Sequence, residues 1–324
     1  MSRTLEREAG KCYSPAMSRA RGIAAGIGYS TIFGFSFLVT KETLAVLSPV
    51  ELLASRFFIA ALLMSGLALA GAIRIDFRQK PLGLLLLMCL FQPVAYFIFE
   101  TYGVANAATS VAGIILGALP AGVAIVGAIV LKERLSALQY SGLAMSIIGV
   151  GLVALLGQGQ NAETKPIGVV FLTASMLSAV IFNIASRKAS ERFSPAERTF
   201  AMMWSGAISF GIPAALQNIA GKGNIAALFN TAGSRFVPSW AGILYLGVLS
   251  SVLAFFLINY SLTYLKASQS AVFTNMVTVI TVLAGVLIRH EAFSWNQGLS
   301  ALLIVIGIAV ANSAGKREIQ ERRS

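Results

Sequence analysis

About ten stretches of some 20 mostly apolar residues follow one another along this chain, more than a soluble fold could bury. They run near residues 22–40, 50–71, 81–103, 108–131, 137–156, 166–186, 197–217, 239–261, 267–288 and 297–313. Each is long enough to cross the hydrocarbon of a bilayer as a helix. Inside lipid every backbone N–H and C=O must pair within the protein, which leaves only helices or closed barrels. The apolar–polar alternation of barrel strands is absent. The sequence therefore predicts an all-α fold, a polytopic membrane protein with ten transmembrane helices.

Charge supports this reading. Only 12% of residues are charged, against roughly 25% in soluble domains. The net charge of +12 does not point to nucleic acid, because Lys and Arg lie in short gaps between apolar runs and in the two tails. The lipid bilayer is the expected partner, with no nucleic acid. With the N-terminus inside, the inner segments hold 19 basic residues, among them Arg74, Lys132, Arg187, Arg198 and Lys266, and the outer ones hold 5, including Lys41, Lys165 and Arg289. That bias places both termini in the cytoplasm, with a plasma membrane as the location. Residues 1–21 lack the apolar core of a secretory signal and read as a cytoplasmic tail.

The chain also repeats itself. A shift of 146 positions aligns Ser48-Pro49-Val50-Glu51 with Ser194-Pro195-Ala196-Glu197 and Lys41 with Arg187. A shift of 158 aligns Tyr102 with Tyr260, Ser110 with Ser268, Gly127 with Gly285, Glu133 with Glu291, Ser136 with Ser294, Gln139 with Gln297 and Gly149 with Gly307. The polar stretch 218–238 accounts for the difference. Five spans per half is an odd number, so the second half is expected upside down relative to the first. Inverted repeats mark secondary transporters, with the solute site near the midplane between the halves. The expected division is a tail over 1–21, a first repeat over 22–156, a linker over 157–165, a second repeat over 166–313 and a tail over 314–324.

Three groups of residues resemble a known family. They are Phe33-Gly34-Phe35-Ser36-Phe37 in the first span, Ser48-Pro49 with Arg56-Phe57 in the second, and Leu131-Lys132-Glu133-Arg134-Leu135-Ser136 followed by Gly142 and Gly149. The last has a degenerate partner in Ile288-Arg289-His290-Glu291-Ala292-Phe293-Ser294. Together they look like the EamA-type carriers of the drug/metabolite transporter superfamily, over roughly residues 20–313. The resemblance implies an inverted five-plus-five fold around a central cavity. It also implies transport, often efflux, of metabolites, amino acids or amphipathic compounds. Thr278 stands where Pro120 lies in the first half, a departure from strict symmetry.

Candidate substrate-binding residues come from polar groups inside the spans, where they are costly and line cavities, pair or glue helices together. Gln92, Tyr96 and Glu100 fall at i, i+4 and i+8 and form one stripe on the third span. Pro93 removes a backbone donor beside Gln92. Arg56 sits at similar depth to Glu100, so an ion pair between them is expected, with helix packing as the alternative for Arg56. Glu100 is also a candidate carrier of a coupling proton. In the second half Asn183, Trp204, Asn259, Tyr260 and Asn275 are further candidates, and Tyr29 and Ser30 weaker ones. Gly22 with Gly26, and Gly113 with Gly117, are spaced to let helix backbones approach. Pro120 is expected to kink the fourth span. Lys132-Glu133-Arg134 reads as a solvated turn.

No phosphate-binding Gly-x-x-x-x-Gly-Lys-Ser/Thr loop is present, so an ion or solute gradient, by proton or solute counter-flux, would drive transport. One histidine, His290, and two scattered cysteines, Cys12 and Cys89, form no His/Cys metal cluster. No cofactor is expected. The function read from the sequence is secondary transport of a small organic metabolite, amino acid or drug by alternating access, with efflux favoured. A membrane-embedded enzyme or a non-transporting solute sensor is the alternative.

Overall fold

The computed structural model describes residues 15–131, 164–221, 223, 238–265, 270, 273–291, 294–296, 298–307 and 310. It also describes 141, 142, 144, 145, 148, 149 and 152. Most of the expected fifth span lies outside the described residues, as do the turn at Lys132-Glu133-Arg134, residues 1–14 and residues 311–324. Among the described residues seven helices are long and apolar enough to cross a membrane. They are α1 (Pro15–Thr43), α2 (Pro49–Leu69), α3 (Leu82–Ala105), α4 (Thr109–Leu116 continuing as Leu119–Leu131), α5 (Pro166–Ala189), α6 (Pro195–Ile219) and α7 (Ser239–Tyr264). Two shorter apolar helices follow, α8 (Thr274–Leu287) and α9 (Gly298–Gly307). No strand occurs among the described residues.

Large apolar side chains face outward as well as inward. Phe58, Leu86 and Ile129 are 60%, 66% and 71% exposed. Such a surface suits hydrocarbon rather than water. Inside, one apolar cluster gathers around Phe57, Phe97, Phe182 and Phe255, and a second around Val104, Ile114, Leu172 and Val180.

The sequence repeats produce repeated structure. α2 and α6 both begin Ser-Pro-x-Glu, and both begin with a capping box. Glu51 N donates to Ser48 Oγ while the Glu51 carboxylate accepts from Ser48 N at 3.1 Å, and Glu197 and Ser194 exchange the same bonds. Each box satisfies two N-terminal backbone donors that have no partner within the helix. The two helices pack against each other. Gly206 on α6 makes room, since a Cβ there would lie 2.6 Å from the Phe57 ring.

A second pair of equivalent features closes helix C-termini. Lys41 Nζ donates to Val104 O at 3.0 Å and Ala107 O at 2.8 Å, capping α3. Its counterpart Arg187 donates to Leu262 O at 2.9 Å and Thr263 O at 2.8 Å, capping α7. Val104 and Leu262 are related by the 158-residue shift, and a cation at a helix C-terminus also meets the negative end of the helix dipole. Third, α3 and α7 both depart from regular α-helix in mid-span, α3 by a kink at Gln92 within Leu90–Ala95 and α7 by widening into π-helix over Tyr245–Ala254. The same shift superimposes these segments.

α4 is broken at Gly117 and Ala118, and Pro120 stands near the start of its second segment. The glycine pairs sit at close approaches: Gly26 against Phe273, Gly22 against Leu265, Gly113 and Gly117 against Thr281 and Thr278. The tightest approach to backbone is at Gly168, in the first turn of α5. Lys165 N donates to Asn106 O at 2.8 Å, holding α5 against the end of α3. A Cβ at 168 would lie 2.5 Å from Asn106 O and 2.8 Å from its carbonyl carbon. Backbone cannot rotate away as a side chain can. Gly168→Ala is therefore expected to destabilise the purified protein by about 1–3 kcal/mol in an unfolding titration.

Arg198, counted from the sequence among the basic residues of an inner segment, is 0% exposed. It lies in the first turn of α6, where its guanidinium turns back into the helix packing rather than out to water.

Candidate functional site

A cavity of about 60 Å³ lies where α1, α3, α4, α5, α7 and α8 converge. The kinked segment of α3 forms one wall. Pro93 has no N–H to give, and Gln92 adopts φ −149° and ψ 116°, well outside helical values. The helix loosens there, and the stripe Gln92, Tyr96 and Glu100 lines the cavity. Gln92 is 6% exposed and its amide makes no hydrogen bond among the described residues. Glu100 is 2% exposed, and its carboxylate accepts one hydrogen bond, from Thr101 Oγ1 at 3.2 Å. Asn183 of α5 lines the opposite part, its Nδ2 donating to Ala179 O at 2.8 Å. Tyr29 of α1 also lines the cavity, its hydroxyl donating to Ser270 O at 2.7 Å.

Arg56 stands behind this wall. It is 1% exposed, with Nε donating to Ser251 Oγ at 3.1 Å and NH2 to Ser250 Oγ at 3.0 Å. Its guanidinium carbon lies 4.4 Å from the centroid of Phe97 and 5.4 Å from that of Phe57. The direct ion pair with Glu100 expected from the sequence is not made among the described residues. The α7 serines and the aromatic faces occupy the guanidinium instead. The two charges still act on each other through the apolar interior. Arg56 does not line the cavity, but two of its contacts, Ser250 and Phe97, do.

Four other sequence candidates lie elsewhere. Trp204 is 40% exposed on the outer flank of the α2–α6 pair, its Nε1 donating to Ser65 Oγ at 3.1 Å. Asn259 is fully buried in a network that joins three helices. Its Nδ2 donates to Thr199 Oγ1, its Oδ1 accepts from Ser186 Oγ, and its carbonyl accepts from Arg198. Tyr260 packs between Phe256 and Tyr264 on the α7 surface. Asn275 does not line the cavity, although its neighbour Thr274 does, and its Oδ1 is buried without a partner among the described residues. Ser30 is also structural, donating to Gly26 O and Phe273 O.

Sequence reasoning missed Phe33 and Phe37 as cavity residues, and Ser36, Ser250 and Thr274. Tyr29, Phe33 and Phe37 stand at i, i+4 and i+8, the same spacing that marked the α3 stripe, so a signal was present. The Ser250-Ser251 pair within an apolar run was another. Among the described residues no three His, Cys, Asp or Glu side chains come together as metal ligands.

Comparison with known proteins identifies the family. An uncharacterized transporter of Bacillus subtilis is 32% identical over 294 residues, covering 89% of this chain and 91% of that protein. A probable amino-acid metabolite efflux pump of Escherichia coli is 24% identical, covering 91% of this chain and 95% of its own. A probable terminal-alkyne amino-acid exporter of Streptantibioticus cattleyicolor is 24% identical over 67% of this chain and 66% of its own. A solved crystal structure shares the fold with a TM-score of 0.63 at 20% identity, over 93% of this chain and 97% of that one. The EamA-like transporter family matches twice, over residues 20–155 and 166–313, and a chain matched through both halves belongs to that family.

Proposed function

We propose that this protein is a secondary transporter that carries a small organic solute across the plasma membrane by alternating access, with efflux as the favoured direction. Membership in a transporter family already makes it a membrane transporter rather than an enzyme. The observation that carries the finer reading is the shared cavity. α1, α3 and α4 come from the first half and α5, α7 and α8 from the second, and both halves contribute polar side chains to one cavity. Ligand sites combine apolar walls with a few polar groups that fix orientation, and this lining does the same.

The proposed architecture is ten spans in two inverted repeats, 22–156 and 166–313, joined by the linker 157–165 and ending in cytoplasmic tails 1–21 and 314–324. The paired capping boxes, the C-terminal cations and the mid-span irregularities of α3 and α7 support it. An inverted pair can rock about a fixed central site and expose it to each side in turn. The efflux direction rests on the names of two relatives, an efflux pump and an exporter. Proton or solute counter-flux would supply the driving force, with Glu100 as the buried carboxylate available to carry a proton.

Liposomes containing the purified protein test the proposal with a panel of radiolabelled amino acids, nucleosides and cationic drugs. At least one solute should cross faster than in empty liposomes. Gln92→Ala and Glu100→Gln should each lower that flux about tenfold at unchanged membrane abundance, about 1.4 kcal/mol of lost stabilisation. Flux at the empty-liposome level for the whole panel would remove the transport reading of the cavity.

A further inference from the structure

We propose that Arg289 and Glu291 form a latch that holds the two halves together on one side of the cavity and releases when that side opens. The latch rests on the alternating-access reading and gates one of its two faces. Both residues follow α8 in the second matched half. Arg289 NH1 donates to Glu42 Oε1 near the end of α1, in the first half. The Glu291 carboxylate accepts from Thr109 N at 3.0 Å and Ser110 N at 2.9 Å, where α4 of the first half begins. Arg289 Nε lies 3.4 Å from Glu291 Oε1, which joins the two crossings into one network.

The local structure is built for this crossing. α4 starts after Ala108, whose methyl group cannot cap a helix, and the Thr109 and Ser110 hydroxyls have no partner among the described residues. The first backbone donors of α4 are therefore served from the other half, by a carboxylate at the positive end of the helix dipole. Gly285 leaves room for that carboxylate, since a Cβ there would lie 2.5 Å from Glu291 Oε2. His290, between the two charged residues, adopts φ 56°. A left-handed residue other than glycine persists where its surroundings hold it, and this one turns the chain so that both neighbours reach the first half.

The latch stands beyond the cavity on the helices it joins. On α1 the cavity residue Phe37 precedes Glu42, and on α4 Ser110 precedes the cavity residue Leu116. At 1.5 Å per residue these separations are about 7–9 Å, both toward the end where α1 finishes. By the bias of basic residues this is the outer face. When the halves part there, water takes the place of the lost partners, and an ion pair that exchanges its partner for water loses little. The apolar packing of α2 on α6 has no such substitute. The polar contact is therefore the one that opens, and the α2–α6 pair the one that stays.

The test reads the two faces separately. Ser36 lines the cavity, so Ser36→Cys, in a full-length chain whose two cysteines are removed as Cys12→Ser and Cys89→Ala, places a single thiol there. A membrane-impermeant methanethiosulfonate reaches it from the outer face in right-side-out vesicles and from the cytoplasmic face in inverted ones. Glu291→Ala and Arg289→Ala should each raise the outer labelling rate at least tenfold and lower the cytoplasmic rate. Glu291→Gln, which keeps an acceptor for the α4 N–H groups and loses the charge, should give a smaller change in the same directions. Each variant is scored as protein that elutes in a single folded peak in detergent. Outer labelling left unchanged by both alanine variants overturns the latch. So do rates that rise from both faces, the mark of a generally loosened fold. The latch and the transport reading fail separately. Opposite changes at the two faces with no flux of any solute keep the latch and sink transport, whereas flux with unchanged labelling does the reverse.

Discussion

Arg56→Met is expected to abolish transport and to cost about 3 kcal/mol of stability, the loss expected when a hydrogen-bonded buried charge is removed. Arg56 is almost fully buried on α2 and ties that helix to Ser250 and Ser251 on α7. Its guanidinium also lies over Phe97, an interaction worth about 2 kcal/mol when desolvated. Methionine keeps the length and the apolar stem and loses all of these contacts. The larger consequence falls on Glu100, whose compensating charge is Arg56. Without it an ionised carboxylate sits uncompensated in an apolar cavity wall. The double variant Arg56→Met/Glu100→Gln should therefore be more stable than the sum of the two single losses, by about 1 kcal/mol of coupling. Unfolding titrations of the four proteins in one detergent measure it. Strict additivity would show that the two charges do not depend on each other.

The second large effect is expected at Arg198, and it should separate stability from transport. This guanidinium is fully buried and joins three helices. NH1 donates to Ser186 O at 2.9 Å and Ser186 Oγ at 2.8 Å on α5, and NH2 to Asn259 O and Thr263 Oγ1, both at 2.6 Å, on α7. No carboxylate faces it among the described residues, and its Nε has no partner there. Arg198→Met should cost about 3 kcal/mol, since hydrogen bonds to charged groups contribute roughly 1.5–3 kcal/mol each and part is recovered by burying an apolar side chain. Arg198→Lys should not restore the loss, because an ammonium cannot span the fork that serves α5 and α7 together. Flux per folded molecule should stay normal, because Arg198 does not line the cavity. Flux falling as steeply as for Arg56→Met would place Arg198 in the transport pathway.

These two arginines mark the limit of sequence reading. Arg56 stood out because it interrupts an apolar run. Arg198 did not, because it lies beside Glu197 at a helix start, where a charge reads as facing water. The structure sends the Glu197 carboxylate to Lys80 at 2.8 Å and the Arg198 side chain into the protein. A helix start offers both directions, and the packing of α5 and α7 chose between them.

The sequence by itself determined what lipid demands: helices of membrane length, their approximate ends, the recurring Ser-Pro-x-Glu segments, and the stripe on α3. Each follows from local rules, since backbone groups must pair and residues four apart share a helix face. Only the tertiary structure decided which face looks into the cavity. Gln92, Tyr96, Glu100 and Asn183 were brought together there, while Trp204 went to the outer flank, Tyr260 to a ring cluster and Asn259 to the Arg198 network. The physical reason is that lipid and protein interior are both apolar. Hydrophobicity marks a helix as spanning but does not tell its protein side from its lipid side, and that choice is made by the helices packed against it.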